Sequence, residues 1–457
     1  MKQTLGSVGK KITFLPLVGA TYFMVAGGPY GLEDLVGQVG CRRAIAVLLL
    51  VPIVWSLPTA LMVGELAGAL PEEGGYYAWV RRALGPFWGF VEAWLSLVAS
   101  VFDMAIYPTL FALYLGRLWP ALATPACATG LGVLLIVACA AWNLRGTSAV
   151  AGGAAVMTAL LLAPFALLVV LAPFSASRAI APAAGPASGG FVAAMLVAMW
   201  NYMGGDNAST IAGDVARPQR TYPLAMLAAV ALVALTYVLP VAALGWAGVD
   251  TRGWTTGSWV SAAAALGGRP LGIAVVVGGI VCAAGMLNAL MMSYARLPLV
   301  LAEDGLLPSA LARRHAITGA PSVAIVVCAV AYMAALRIGF ERLVELDVML
   351  YGLSLVLEFV ALVALRLREP QLPRGFRVPG GLVGAVAVGV LPTVLIALAL
   401  WQGRHDRVGG FSVFWIGGAL IGAAPLVYAL RRRVAATPAS AAVTALPTAA
   451  VSAPAIE

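Results

Sequence analysis

Asp103, Asp206 and Glu358 are the residues of this 457-residue chain whose type and setting most strongly suggest chemistry. Each falls inside a long apolar run, where an ionisable group is costly and is usually kept for a function. Their surroundings are not those of an enzyme or a metal centre. His315 and His405, the two histidines, both fall in loops, and the chain has neither an H-E-x-x-H nor a G-x-S-x-G sequence. The five cysteines show no C-x-x-C pair and no zinc spacing, so they read as small apolar side chains. No catalytic, metal or cofactor site is expected. Carboxyl groups at membrane depth can carry a proton or hold the cationic end of a bound solute. The chain offers them little positive charge: no lysine follows Lys11, and no arginine falls near the middle of an apolar run.

Two interruptions of the apolar pattern supply the other half of a site. Ala26-Gly27-Gly28-Pro29-Tyr30-Gly31 breaks the run from Ile12 to about Val39. Proline lacks a donor N–H, and glycine costs a helix about 1 kcal/mol relative to alanine. Unpaired backbone is tolerated in hydrocarbon only where it faces protein or a water-filled cavity. Trp200-Asn201-Tyr202-Met203-Gly204-Gly205-Asp206-Asn207 repeats the feature in the sixth apolar run. Breaks five spans apart fit a five-plus-five inverted repeat, whereas a simple proline kink explains only the first. Open amides can hold a carboxylate and open carbonyls an ammonium, so a zwitterion or an amine is the natural ligand. Tyr30, Tyr107, Trp200 and Tyr202 could wall such a site or contact a cation, although most aromatic residues simply pack. The expected substrate-contacting set is Ala26, Gly27, Gly28, Gly31, Asp103, Tyr107, Trp200, Asn201, Tyr202, Gly204 and Asp206. Glu358 and Asp103 are candidates for proton coupling or amine binding.

These residues must be positioned by membrane helices. The chain is 62% hydrophobic and 10% charged, which places it among polytopic membrane proteins. Hydropathy predicts an all-α protein of about twelve spans: 12–36, 44–69, 86–115, 126–144, 148–172, 190–213, 222–248, 270–301, 320–338, 343–366, 378–401 and 410–430. With the N-terminus inside, 18 of the 28 lysines and arginines fall on the cytoplasmic side and 10 outside. That bias places both termini in the cytoplasm, and it accounts for the net charge of +9 without a nucleic-acid partner. Residues 1–11 form a cytoplasmic N-terminus and 12–366 the transmembrane core, its repeats at about 12–172 and 190–366. Residues 367–433 add two spans, and 434–457 read as a disordered tail. The 173–189 stretch reads as irregular. Lys10 and Lys11 precede an apolar run with no small-residue cleavage site, as in an uncleaved first span. Arginine in place of lysine and abundant alanine suggest a GC-rich bacterial genome, hence a cytoplasmic (inner) membrane.

The remaining acids have plainer readings. Glu33 and Asp34 could cap the outer half of the first span or belong to a site. Asp214 is expected to pair with nearby Arg217. Glu65 reads as interfacial, and Glu92 as near enough to the end of its span to reach the headgroups.

Several ordered motifs together resemble the amino acid–polyamine–organocation transporter superfamily over essentially all twelve spans. They are Gly27 to Asp34, Pro71 to Tyr76, Ala83 to Phe90, Asp103 to Pro108, Trp200-Asn201, Ser209 to Val215 with Pro218 and Thr221 to Pro223, Leu365 to Pro370, and Arg374 to Gly380. They are most similar to the branch containing the plant polyamine uptake transporters. The resemblance implies a leucine-transporter-like fold with discontinuous helices one and six. It also implies alternating access, a small-molecule substrate (amino acid or polyamine) and a proton as coupling ion. Acids matching Asp103, Asp206 and Glu358 occur in that branch and suit a polycation. The chain departs from it at Leu290 and Tyr294, where the plant proteins have acids, and at Gly204 and Gly205, where they have aromatic residues. Span five has neither a lysine nor an acid to name as the coupling device. The sequence therefore predicts a secondary active transporter, with an exchanger, a transporter-like sensor and an integral-membrane enzyme as the alternatives.

Overall fold

The computed structural model describes residues 11–175, 191–336, 340–402, 407–408 and 411–435. Fifteen α-helices account for nearly all of it. They are α1 (Phe14–Val25), α2 (Glu33–Val51), α3 (Leu57–Ala69), α4 (Tyr76–Leu84), α5 (Pro86–Leu118), α6 (Pro125–Asn143), α7 (Thr147–Leu171) and α8 (Phe191–Asn201). Then follow α9 (Pro218–Trp246), α10 (Ser258–Tyr294), α11 (Arg296–Glu303), α12 (Ser322–Ala335), α13 (Phe340–Arg368), α14 (Gly381–Gln402) and α15 (Val413–Ala435). A π-helical turn, Pro52–Ser56, joins α2 to α3, and Gly205–Asp214 forms a 3-10 segment after α8. Arg407–Val408 and Phe411–Ser412 pair as a minimal antiparallel hairpin.

Nine helical stretches among the described residues are long and apolar enough to cross a membrane, and α1 and α12 are shorter apolar helices. With the broken segment 191–214, every apolar run expected from the sequence coincides with a helix or an interrupted one. The outward faces are greasy: Leu15, Ile53, Leu134, Val156, Val170, Leu224 and Val383 are all exposed. In water such a surface would aggregate; in a bilayer it meets lipid. Trp88, Trp119, Trp246, Trp401 and Trp415 are exposed near helix ends, where membrane interfaces favour tryptophan. The molecule is a multi-pass membrane protein.

The first two spans are less separate than the hydropathy suggests. A single residue, Gly40, with φ 74° and ψ 162°, turns the chain between them inside α2. His405, residues 1–10 of the N-terminal segment, 176–189 of the expected irregular stretch and 436–457 of the tail lie outside the described residues; 434–435 continue α15.

One face of the bundle is tied by ion pairs, and here three sequence expectations need correction. Asp214 does not pair with Arg217. Its Oδ2 accepts from Arg296 Nη2 at 2.8 Å and from Thr147 Oγ1 at 2.8 Å, while Arg296 Nε contacts Glu73 at 3.3 Å. Arg296 comes from α11 across the fold, a long-range pairing that local spacing cannot reveal. Glu65 is not interfacial but fully buried; Arg366 and Arg374 contact it, and the Val378 N–H donates to it at 2.7 Å. The last turn of α13 supplies Arg366, and the loop after it folds back to deliver Arg374 and Val378, so an acid near a helix end becomes an internal anchor. Glu92 is also fully buried and accepts from Ser96 Oγ at 2.9 Å. Helices α4, α13 and α15 pack on α5 and enclose this part of it.

The short connections on this face are ordered. Gly74 N–H donates to Thr210 O at 3.1 Å, and Tyr77 and Arg81 both bond to Asp304. Ile12 forms a bridge with Val215, its N–H on Asp214 O at 2.9 Å.

Candidate functional site

The first break is held open by its neighbours rather than left slack. Helix α1 ends at Val25, Ala26 is extended, and Gly28 and Gly31 take φ values of 76° and 90°. Trp259 Nε1–H donates to Pro29 O at 2.8 Å and Tyr30 OH to Val275 O at 2.5 Å, both groups on α10 closing on the break. Glu33 starts α2 and accepts from Gly31 N–H at 2.7 Å, Tyr114 OH at 2.7 Å and Gly257 N–H at 3.0 Å. Its carboxylate thus lies in the first turn of the second half-helix, where negative charge is favoured, and occupies the Gly31 amide that a ligand carboxylate could have used. Asp34 accepts from Thr256 Oγ1 at 2.9 Å.

The second break lies against the first. Asn201 ends α8, and its carbonyl accepts from Tyr237 OH at 2.7 Å. Gly204 has φ 92°, and a Cβ built on it would lie 2.2 Å from the Met24 carbonyl oxygen of α1. A side chain at this position would therefore meet rigid backbone in a conformation that already favours glycine. Gly27 is similarly confined, its hypothetical Cβ 2.1 Å from Cys282 Sγ. The Gly204 N–H donates to Tyr351 OH at 3.0 Å, and that hydroxyl donates in turn to Asp206.

Between the breaks is a cavity of about 30 Å³, measured as the space open to the centre of a water molecule. At roughly 10–15 Å³ per water, it holds about two. An amine or amino acid is larger than this space, so admitting one requires the helices to part. Gly27 and Met24 line it from the first break, and Trp200, Asn201 and Gly204 from the second. Asp103 and Tyr107 face it from α5, Met286 and Tyr294 from α10, Asp347 and Tyr351 from α13.

Its charge is one-sided. Asp103 accepts from Tyr107 OH at 2.7 Å and lies 3.4 Å from Tyr294 OH. Asp347 is 3% exposed, and its Oδ1 has no hydrogen-bond partner among the described residues. Among those residues, no ion pair involves Asp103, Asp206, Asp347 or Glu358. Asn207 braces the floor, accepting from Tyr76 OH at 3.2 Å and from Ser293 Oγ at 3.0 Å while donating to Tyr294 OH at 3.2 Å.

Of the residues expected to contact substrate, Gly27, Asp103, Tyr107, Trp200, Asn201 and Gly204 line this cavity. Ala26, Gly28 and Gly31 shape the break without lining it. Asp206 reaches the wall through Tyr351. Tyr202 points elsewhere, its OH donating to Leu48 O at 2.8 Å and its ring packed edge-on to Tyr237. Glu358 is buried on α13 away from the cavity. Sequence reasoning passed over Asp347 and Tyr351 and named Tyr294 only as a departure from the plant transporters. A signal for the first two was present: Asp347, Tyr351, Ser354 and Glu358 recur at i, i+4, i+7 and i+11, one face of a helix. The nearby Glu341, Arg342 and Glu345 make Asp347 look like part of a polar helix end instead.

Comparison with known proteins gives a consistent result. A family model described as amino acid permease matches residues 16–424. A polyamine transporter of Arabidopsis thaliana is 33% identical over 394 residues, covering 86% of this chain and 80% of that protein. A polyamine transporter of Oryza sativa subsp. japonica is 35% identical over 397 residues, covering 86% and 74%. A serine/threonine exchanger of Bacillus subtilis is 26% identical over 333 residues, covering 71% and 75%.

Proposed function

The chain belongs to the amino acid permease family, and we propose that it is a secondary active transporter of amine-bearing solutes, polyamines or amino acids. The observation that carries this reading is the small cavity between two broken helices, faced by Asp103 and Asp347 with no cation among the described residues that line it. A substrate ammonium supplies the missing charge. A buried carboxylate that stays charged repays its desolvation when such a partner is present. Two acids in one small cavity favour a substrate with more than one positive charge, in keeping with the polyamine transporters to which the chain is similar. The hydroxyls of Tyr107, Tyr294 and Tyr351 orient the carboxyl groups, and Trp200 offers a face for a cation.

Transport proceeds by alternating access. Residues 12–172 and 190–366 act as inverted repeats of a leucine-transporter-like core, and 367–433 add the last two spans. Helices that correspond under this scheme pack on one another: α3 on α9, and α5 on α10. The Arg296–Asp214–Glu73 pairs close one side, and the Glu33–Tyr114–Gly257 contacts close the other. Uptake is coupled to protons. The arginine-rich face is cytoplasmic, both termini lie there, and the membrane is the inner membrane of a bacterium.

Counterflow tests this. Proteoliposomes loaded with unlabelled putrescine or spermidine, with the membrane potential clamped at zero and no imposed proton gradient, are expected to accumulate labelled amine, which a channel cannot do under those conditions. A protein that exchanges serine or threonine but none of the polyamines would replace the polyamine reading with amino acid exchange. Absence of counterflow with either class would overturn the transporter reading.

A further inference from the structure

The cavity is one end of a longer polar seam. On α5, Glu92, Ser96, Ser100, Asp103 and Tyr107 share a face; on α13, Asp347, Tyr351, Ser354 and Glu358 do the same. The two helices pack along their length. Asp347 faces Asp103, and Glu358 faces both Glu92 and Asp206, so the helices run in opposite directions with their acids in register. Glu92 to Asp103 and Asp347 to Glu358 each span about three turns, roughly 16 Å at 1.5 Å per residue. Asp206, bonded to Tyr351, sits between the two ends.

The inner end has the features of a proton station. Glu92 and Glu358 are fully buried. Glu92 Oε2 lacks a hydrogen-bond partner among the described residues, and the polar group that approaches Glu358 is another carboxyl, that of Asp206. Few other groups approach. Tyr76 from α4 and Asp206 from the 3-10 segment face the pair, and Ser96 bonds Glu92. Tyr332 from α12 and Tyr294 from α10 lie toward Asp103. Glu65 on α3 is taken by Arg366 and Arg374, Arg296 on α11 by Asp214 and Glu73, and Tyr428 on α15 packs edge-on to Phe87 and tilted against Phe90. The segments of α6 and α14 carry no charged residue. With no cation against the pair among the described residues, and a carboxyl facing a carboxyl at Asp206 and Glu358, a shared proton is what can supply both a donor and neutrality.

We propose that the α5–α13 seam conducts the coupling proton between the cavity and the arginine-rich face, with Glu92 and Glu358 as its inner station. The inference rests on the proton-coupled transport proposed above. A proton leaving hydronium on one side forms an O–H bond on a carboxylate of the seam. It departs to water on the other side when that bond breaks, and the solute itself is unchanged. The substrate ammonium engages Asp103 and Asp347; Glu92 and Glu358 act on coupling alone.

Proteoliposomes containing a pH dye and labelled amine separate the two roles. Glu92→Gln and Glu358→Gln are each expected to keep counterflow within about two-fold of the wild type. Gradient-driven accumulation and amine-driven proton movement should both fall at least ten-fold. Glu92→Asp and Glu358→Asp should restore them with a shifted pH profile. A wild-type proton-to-substrate ratio in the Gln variants would overturn the seam as the route, as would an equal loss of counterflow and accumulation. If the Gln variants fail to fold, unchanged pH profiles in the Asp variants would overturn it too. Wild-type protein that carries amine without moving protons would overturn proton coupling itself, while counterflow still established the transporter.

Discussion

Asp103→Asn is expected to abolish efficient transport of cationic amines while leaving the protein folded. The carboxylate lies on the cavity wall, held by Tyr107 and facing Tyr294. The amide keeps its shape and can still accept a hydrogen bond, so packing is preserved. What is lost is the charge opposite the ammonium. Removing one partner of a buried charge pair costs about 2–5 kcal/mol. At 1.4 kcal/mol per decade, affinity should fall from roughly thirty-fold to a few thousand-fold. Initial uptake rates at low substrate should fall in parallel, and a neutral amino acid should be affected less. Wild-type uptake of putrescine by a well-expressed Asp103→Asn protein would remove this residue from the site.

Gly204→Ala is expected to be at least as damaging, for a steric reason. The position has φ 92°, and its Cβ would fall 2.2 Å from the Met24 carbonyl oxygen. A left-handed conformation alone costs a non-glycine residue about 1–2 kcal/mol. Here the neighbour is also the backbone of the other broken helix, so relief requires the two breaks to separate. The cavity loses its shape, and uptake should vanish even where protein reaches the membrane. Gly305→Ala provides the control: φ is 74° there, but nothing lies within 4 Å of the added methyl. That variant should lose only the conformational term and retain transport. Equal behaviour of the two alanine variants in uptake and thermal stability would contradict the account.

The features that are local in sequence were legible there. Both breaks, nearly all the helices and the isolated acids Asp103 and Asp206 follow from hydropathy, proline and glycine. Partnerships across the fold were not. Glu65 looks peripheral in sequence because the arginines that neutralise it arrive from the end of α13 and the loop after it, some three hundred positions later. Asp214 has Arg217 three residues away and yet pairs with Arg296. Tyr202 belongs to an aromatic-rich break, but the turn of the chain sends its ring out toward α2 and α9. Asp347 shows the reverse: it lies beside charged neighbours, and only the packing of α13 on α5 brings it to the cavity. Periodicity along α13 holds this information. It becomes decisive only when the facing helix is known, because the same spacing on an outer face would mean nothing more than a solvated stripe.

The most direct measurement of the central claim, that this cavity takes a cationic amine, is ligand-induced thermal stabilisation of the purified wild-type protein across amines and amino acids. Binding to the folded state should stabilise it by about 2.7 kcal/mol at a hundredfold excess over the dissociation constant. The expected result is a concentration-dependent rise in Tm with putrescine or spermidine that is lost in Asp103→Asn. Stabilisation by neutral amino acids alone, undiminished in that variant, would contradict the claim and leave the cavity acids without a role in holding the substrate.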